Sequence, residues 1–172
     1  MGKTDDGMEW LATTRVDEES PIRDVFLCPA DFFEELPKKV KPSTSYFSLF
    51  IAIDARPLDD HTVLQVAESL LSKGLTCLCA WGPDCKRLHD LFDFAAREIN
   101  DELSGDDVIM TSWHPDETLE DALWFFVTAS FVTAKFKNSC KDWIIAPTAS
   151  PEWEQPIRKK VKEIRKESRR YL

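Results

Sequence analysis

Glycine is scarce in this chain, five residues in 172. None of them builds G-x-G-x-x-G or G-x-x-x-x-G-K-[ST], the patterns in which backbone N–H groups cradle phosphate. No G-x-S-x-G nucleophile elbow occurs either. Histidine is scarcer still, with three in all. No apolar run approaches the roughly 20 residues that a membrane-spanning helix needs. The opening "MGKTDDGMEWLATTRVDEESP" is polar and acidic and lacks the apolar core of a signal peptide. The five cysteines are an odd number, unlike a secreted disulfide framework. Cys28, Cys77 and Cys79 fall in or beside strand-like segments, and the last two read as small core residues on one strand face. Together these absences point to the cytoplasm, away from membranes and from nucleotide-cradling loops.

What is present suits one domain with a real core: 43% hydrophobic residues, six Trp and eleven Phe. The net charge of −9 is uneven. Between Arg158 and Arg170 there are eight basic and two acidic residues, +6, so the remainder sums to −15. Such a body repels a phosphate backbone, which leaves nucleic-acid binding only to the C-terminal segment.

Residues 1–23 lack periodicity and are expected to form a flexible polar arm, with a single α/β domain over 24–172. "VFLCP" reads as a short extended stretch, and "ADFFEELP" as a helical turn or two stopped by Pro37. "YFSLFIAID", "LTCLCAW", "VIMTSW" and "DWIIAP" read as strands. Between them, "HTVLQVAESLLSKG" and "PDCKRLHDLFDFAAREI" place apolar residues at helical spacing. Residues 117–136, "ETLEDALWFFVTASFVTAKF", are apolar nearly all round and read as a buried or interface helix. A basic helix over 150–172 closes the chain. The alternation predicts a three-layer, Rossmann-like sandwich, with a mainly parallel sheet of four or five strands and helices on both faces.

Right-handed crossovers gather every strand-to-helix loop at one edge of such a sheet, where ligands of these folds bind. All three histidines, His61, His89 and His114, lie at those junctions. Asp54, Asp84 and Asp116 join them, and Trp81 and Trp113 stand at strand ends. Three readings compete. Asp and Pro before a helix are ordinary start signals. Cys85, His89 and Asp93, spaced by four, share a helix face that suits zinc, with His114 or His61 to complete a site. Cys85 at a helix start near a histidine would have a lowered pKa. The candidate catalytic residues are therefore Cys85, His89 and His114, and the candidate binding residues Asp54, His61, Trp81, Asp84, Trp113 and Asp116. No metal is assigned and the residues name no cofactor.

"AWGPDCK" resembles the active corner of thioredoxin-like proteins, and "IIAPT" the segment carrying their cis-proline. Gly82 stands where that family has its nucleophilic cysteine, so disulfide exchange is not implied. The combination "WGPDCKRLHD" with "SWHPDETLEDALWF" resembles a family of bacterial proteins of unknown function, over residues 46 to about 130. That resemblance implies a cytoplasmic bacterial protein and no assigned activity.

The expected function is a ligand- or protein-binding module using the carboxyl edge of the sheet or the exposed part of 117–136. The expected partner is a protein or small ligand, with a second copy of the chain among the protein partners. An enzyme built on Cys85, His89 and His114 is the alternative. Nucleic-acid binding through the basic C-terminal helix is the third reading, and no membrane association is expected.

Overall fold

The computed structural model describes residues 7–99 and 105–168. Six strands form one sheet: β1 (Glu9–Thr14), β2 (Arg23–Leu27), β3 (Tyr46–Ala52), β4 (Leu75–Trp81), β5 (Met110–His114) and β6 (Cys140–Pro147). Their order is β1-β2-β6-β3-β4-β5. Every pair is parallel except β1 with β2. The helices are α1 (Leu36–Lys39), α2 (Asp60–Ser72), α3 (Cys85–Ile99), α4 (Leu119–Trp124) and α5 (Glu154–Ser168).

The central strands run apolar on both faces because helices cover both. Phe47, Leu49, Ile51 and Leu78 pack with Val63, Val66 and Leu70 of α2 and Leu88, Phe92 and Ala95 of α3. The alternate residues Phe50, Ala52 and Cys79, with Trp143 and Ile145, pack with Leu119 and Leu123 of α4 and Ile157, Val161 and Ile164 of α5. Helix α2 begins where the Asp59 side chain accepts from the Thr62 N–H, and Thr118 plays the same part for α4 toward the Asp121 N–H.

Four expectations need correction. The sheet has six strands and is mixed, since residues 9–14 of the expected arm form β1. Periodicity could not reveal a six-residue strand whose order comes from pairing with β2; residues 1–6 lie outside the described residues. Pro37 does not stop a helix: it occupies the first turn of α1, where its missing N–H has no intrahelical partner to lose. Residues 117–136 are not one helix. After α4 the chain makes a π-helical turn, Phe125–Ala129, and turns extended at Ser130. The buried Arg23 guanidinium explains the stop, donating to Val127 O at 2.6 Å and Ser130 O at 2.8 Å while lying 4.0 Å from the centre of the Trp143 ring. Burial lowers the Arg23 pKa to about 10. Finally, no peptide bond among the described residues is cis, so Pro147 lacks the thioredoxin-like geometry and simply ends β6. Of the basic C-terminal helix, α5 covers 154–168, and residues 169–172 lie outside the described residues.

Candidate functional site: the flanks of strand β5

The Trp81–Cys85 corner is a packed joint. Gly82 has φ +113, and a Cβ there would meet Ile53 O at 2.1 Å, so only glycine fits between the ends of β3 and β4. Asp84 takes φ +62 and accepts from Arg87 Nε at 2.7 Å. The same guanidinium reaches Asp60 Oδ1 at 2.6 Å and the carbonyls of Ala55 and Leu58, tying two strand-end loops together. Asp54 forms a local pair with Arg56 at 2.6 Å, which holds its carboxyl below the usual range. His61 and Asp116 are exposed and join no cluster.

Cys85 is 1% exposed and packed in the α2–α3 core. Burial pushes its thiol up, despite a backbone N–H from His114 that acts the other way. The helix-start position therefore does not give the lowered pKa expected of a thiolate. Desolvation outweighs the dipole. Among the described residues no group of three or more His, Cys, Asp or Glu side chains is arranged to hold a metal ion.

Two other histidine clusters flank β5, one on each face. On the α3 face, the His89 Nε2 lies 2.9 Å from Thr111 Oγ1, and that hydroxyl donates to Asp93 Oδ1 at 2.6 Å. His89 Nδ1 faces Asp90 Oδ1 at 3.0 Å. Lys86, and then His89, hold the Asp90 carboxyl below its usual pKa. The Trp113 ring lies 4.5 Å from the His89 ring yet is 42% exposed. On the α4 face, His114 Nε2 lies 3.0 Å from Ser112 Oγ and Nδ1 lies 3.0 Å from Glu117 Oε2. Ser112 Oγ also donates to Cys79 Sγ at 3.1 Å, and Phe125 packs on the imidazole. Trp81 closes this side by donating Nε1–H to Glu117 O at 2.9 Å, with its ring against Trp153.

Strand β5 ends the sheet, and among the described residues no strand pairs with its outer side. Trp81 O accepts from the Ile53 N–H, so the backbone groups of Trp81 face β3 and those of Ala80 face β5, where Ala80 is paired with Trp113. In a parallel pair the bonds of Ala80 run to the neighbours of its partner, Ser112 and His114, so the backbone groups of Thr111 and Trp113 point outward. Two cavities flank this edge. One of about 350 Å³ lies on the α3 side, against Asp93, Ala96, Arg97 and Val108–Thr111. A smaller one of about 60 Å³ lies on the other side, lined by Cys77, Ser112, Phe125, Ser130 and Phe131. Met110 and Thr111 border both. Phe131, which lines the smaller one, stands exposed. A further cavity, about 200 Å³, lies between the end of β1, Trp124 and Ile164 and touches none of the sequence-predicted site residues.

The structure thus joins Trp113 with His89, and Cys85 with His114 through a backbone contact. It leaves Asp54, His61 and Asp116 apart. Thr111, Ser112 and Glu117 were missed. The signal for them was the adjacent polar pair in "VIMTSW", which breaks an otherwise apolar strand and marks an edge.

Fold and site together define an α/β protein with a six-stranded, mostly parallel sheet, in which no strand among the described residues covers the outer edge of β5. Residues 23–164 match the model of the family described as Domain of unknown function (DUF7684), and the chain belongs to that family. No curated protein matches the chain. Among the described residues no helix is long and apolar enough to cross a membrane.

Proposed function

We propose that the chain is a protein-interaction module that binds its partner by adding a strand to the outer edge of β5. One observation carries this reading: outward backbone groups at Thr111 and Trp113 lie between two cavities on opposite faces of the same strand. An added strand sends alternate side chains to opposite faces, so backbone pairing and side-chain pockets would be used at once. The exposed Trp113 and Phe131 supply apolar area around it. The site departs from the strand ends toward which the sequence pointed and runs along the strand instead. We read the layering as Rossmann-like, supported by the order β5-β4-β3-β6 and by α2–α3 and α4–α5 packing on alternate strand residues. A cytoplasmic setting is supported by five free, buried cysteines.

The test is photo-crosslinking in the host cell, with a benzophenone amino acid at position 113, 131 or 32. The same adduct from 113 and 131, on the two faces of β5, is expected. Phe32, exposed far from β5, should give none. Absence of an adduct at both edge positions overturns the reading.

A second reading is enzymatic and rests on Ser112, His114 and Glu117. Their contacts follow the nucleophile–base–acid order. With its hydroxyl proton turned from Cys79 Sγ to His114 Nε2, Ser112 Oγ would attack an acyl carbonyl and pass that proton through Nε2 to the leaving group. Water would then release the acyl group from Oγ by the same route. A fluorophosphonate probe that modifies Ser112, and fails to do so in His114→Ala, is the expected result of that reading. An unmodified Ser112 overturns it.

A further inference from the structure

We infer that the strand added to β5 is β5 of a second copy, the two running antiparallel about a two-fold axis at Ser112. This inference rests on the interaction reading above and names its partner.

The backbone of β5 is self-complementary. The two residues with outward groups, Thr111 and Trp113, are placed symmetrically about Ser112. In an antiparallel pair centred there, Thr111 of each copy faces Trp113 of the other, and both exchange N–H and C=O bonds. Every outward group of these residues is then satisfied. Ser112 would face its own counterpart in a non-hydrogen-bonded pair, with Cα atoms about 4.5 Å apart. The strand "MTSWH" contains no Asp, Glu, Lys or Arg to repel its counterpart.

Charge agrees with the reversed direction. At the carboxyl end of β5, Glu117 stands on His114, and Asp116 and Glu120 are exposed beside it. At the other end Arg97 borders the cavity at Val108–Met110 together with Asp93, whose carboxylate accepts from the Thr111 hydroxyl. The two-fold axis brings Asp116 and Glu117 of each copy toward the end where Arg97 of the other stands. Lys86 and Lys135 are each paired within their own copy, with Asp90 and Asp107, and add nothing to the match. The same operation lays Trp113 over Thr111 of the second copy, on the face where both strands are bordered by α3. Phe131 would then fall beside the joint, leaving one continuous sheet with no bare edge at β5.

The experiment combines solution mass with a covalent trap. Sedimentation equilibrium of the full chain is expected to give twice the 19.8 kDa chain mass, falling to a single chain in Trp113→Lys with an unchanged circular dichroism spectrum. The trap is Ser112→Cys in a Cys79→Ala background, which removes the thiol next to position 112. Disulfides need Cα atoms about 4.4–6.8 Å apart, so mild oxidation should link most chains through position 112. A single-chain mass at the highest soluble concentration, with no linked dimer, overturns the inference. The photo-crosslinks separate the two failures. Adducts from 113 and 131 to a protein of different mass overturn the second copy but keep the interaction module. Absence of any adduct overturns both. Should Trp113→Lys misfold, the cysteine trap in the otherwise native edge still decides.

Discussion

The two edges of the sheet are finished in opposite ways. At one, β1 lies antiparallel on β2, with a register shift between Trp10 and Ala12. Helix α5 covers it: Arg158 pairs with Glu9, and Arg165 stacks 5.4 Å from the Trp10 ring centre. A bulge and charged side chains are devices that keep an edge strand from pairing further. At the other edge, β5 has no bulge, no charged residue and an exposed tryptophan. The closed edge is made by residues 9–14, outside the family match at 23–164, whereas the bare edge lies within it. One border has been sealed by local additions. At the other, no strand among the described residues takes up the outward hydrogen-bonding groups.

Removing the seal should have the largest effect. A chain starting at Ile22 would lose the cover over Val25, Leu27 and Ile164, at about 3–5 kcal/mol for the apolar area uncovered. Urea denaturation should show the loss, and sedimentation should show species larger than those of the full chain, because both edges would then be open. Unchanged stability and mass would mean that β1 does not seal the sheet.

The β5 edge depends on the Gly82 joint, since the neighbouring Trp81 pairs with His114 in the β4–β5 register. Gly82→Ala forces a Cβ against Ile53 O and should cost about 2–4 kcal/mol in thermal or urea unfolding. Amide exchange of β5 should quicken more than that of β1. Equal quickening at both borders would break the contrast.

Alkaline pH probes the β2 flank through Cys28, whose thiol burial raises from 9.0 to about 11. Between those values the unfolded chain has lost the proton and the native chain keeps it, so stability falls as pH rises. The stabilisation is complete below pH 9 and is lost through pH 11, about 2–3 kcal/mol for this one thiol. Urea titrations at pH 8 and 10.5 should show the fall, and Cys28→Ala should make it shallower. The smallest effect belongs to the pair over β1: Arg158→Ala should cost about 0.5–1 kcal/mol, because both groups are partly solvated. A larger loss would mean that the seal depends on this contact rather than on apolar cover.

Much of the frame was legible in the sequence. β3, β4 and β6 announced themselves as near-continuous apolar runs, and α2 and α3 as periodic apolar faces. Two things were not legible. The order of β1 comes from pairing with β2 across the loop of residues 15–22, which a six-residue pattern does not encode. The end of the helical segment at Ser130 is imposed by Arg23, more than a hundred residues away. The site was half visible: His89, His114 and Trp113 stood out by type. Thr111 and Ser112 gain their meaning only because strand order leaves β5 at the border. Cys85 misled because proximity to a helix start was legible and burial was not.

All five cysteines are free and buried, spread over the end of β2, one face of β4, the start of α3 and the start of β6. An alkylating reagent in water therefore reaches a sulfur only while the surrounding element is open. Each thiol is a clock on its own neighbourhood. With fast reclosing, the labelling rate reports the free energy of that opening rather than the reactivity of the sulfur. Five single-cysteine chains would turn this composition into a map of where the fold breathes, with Cys85 reporting on the joint behind the bare edge and Cys28 on the sealed side.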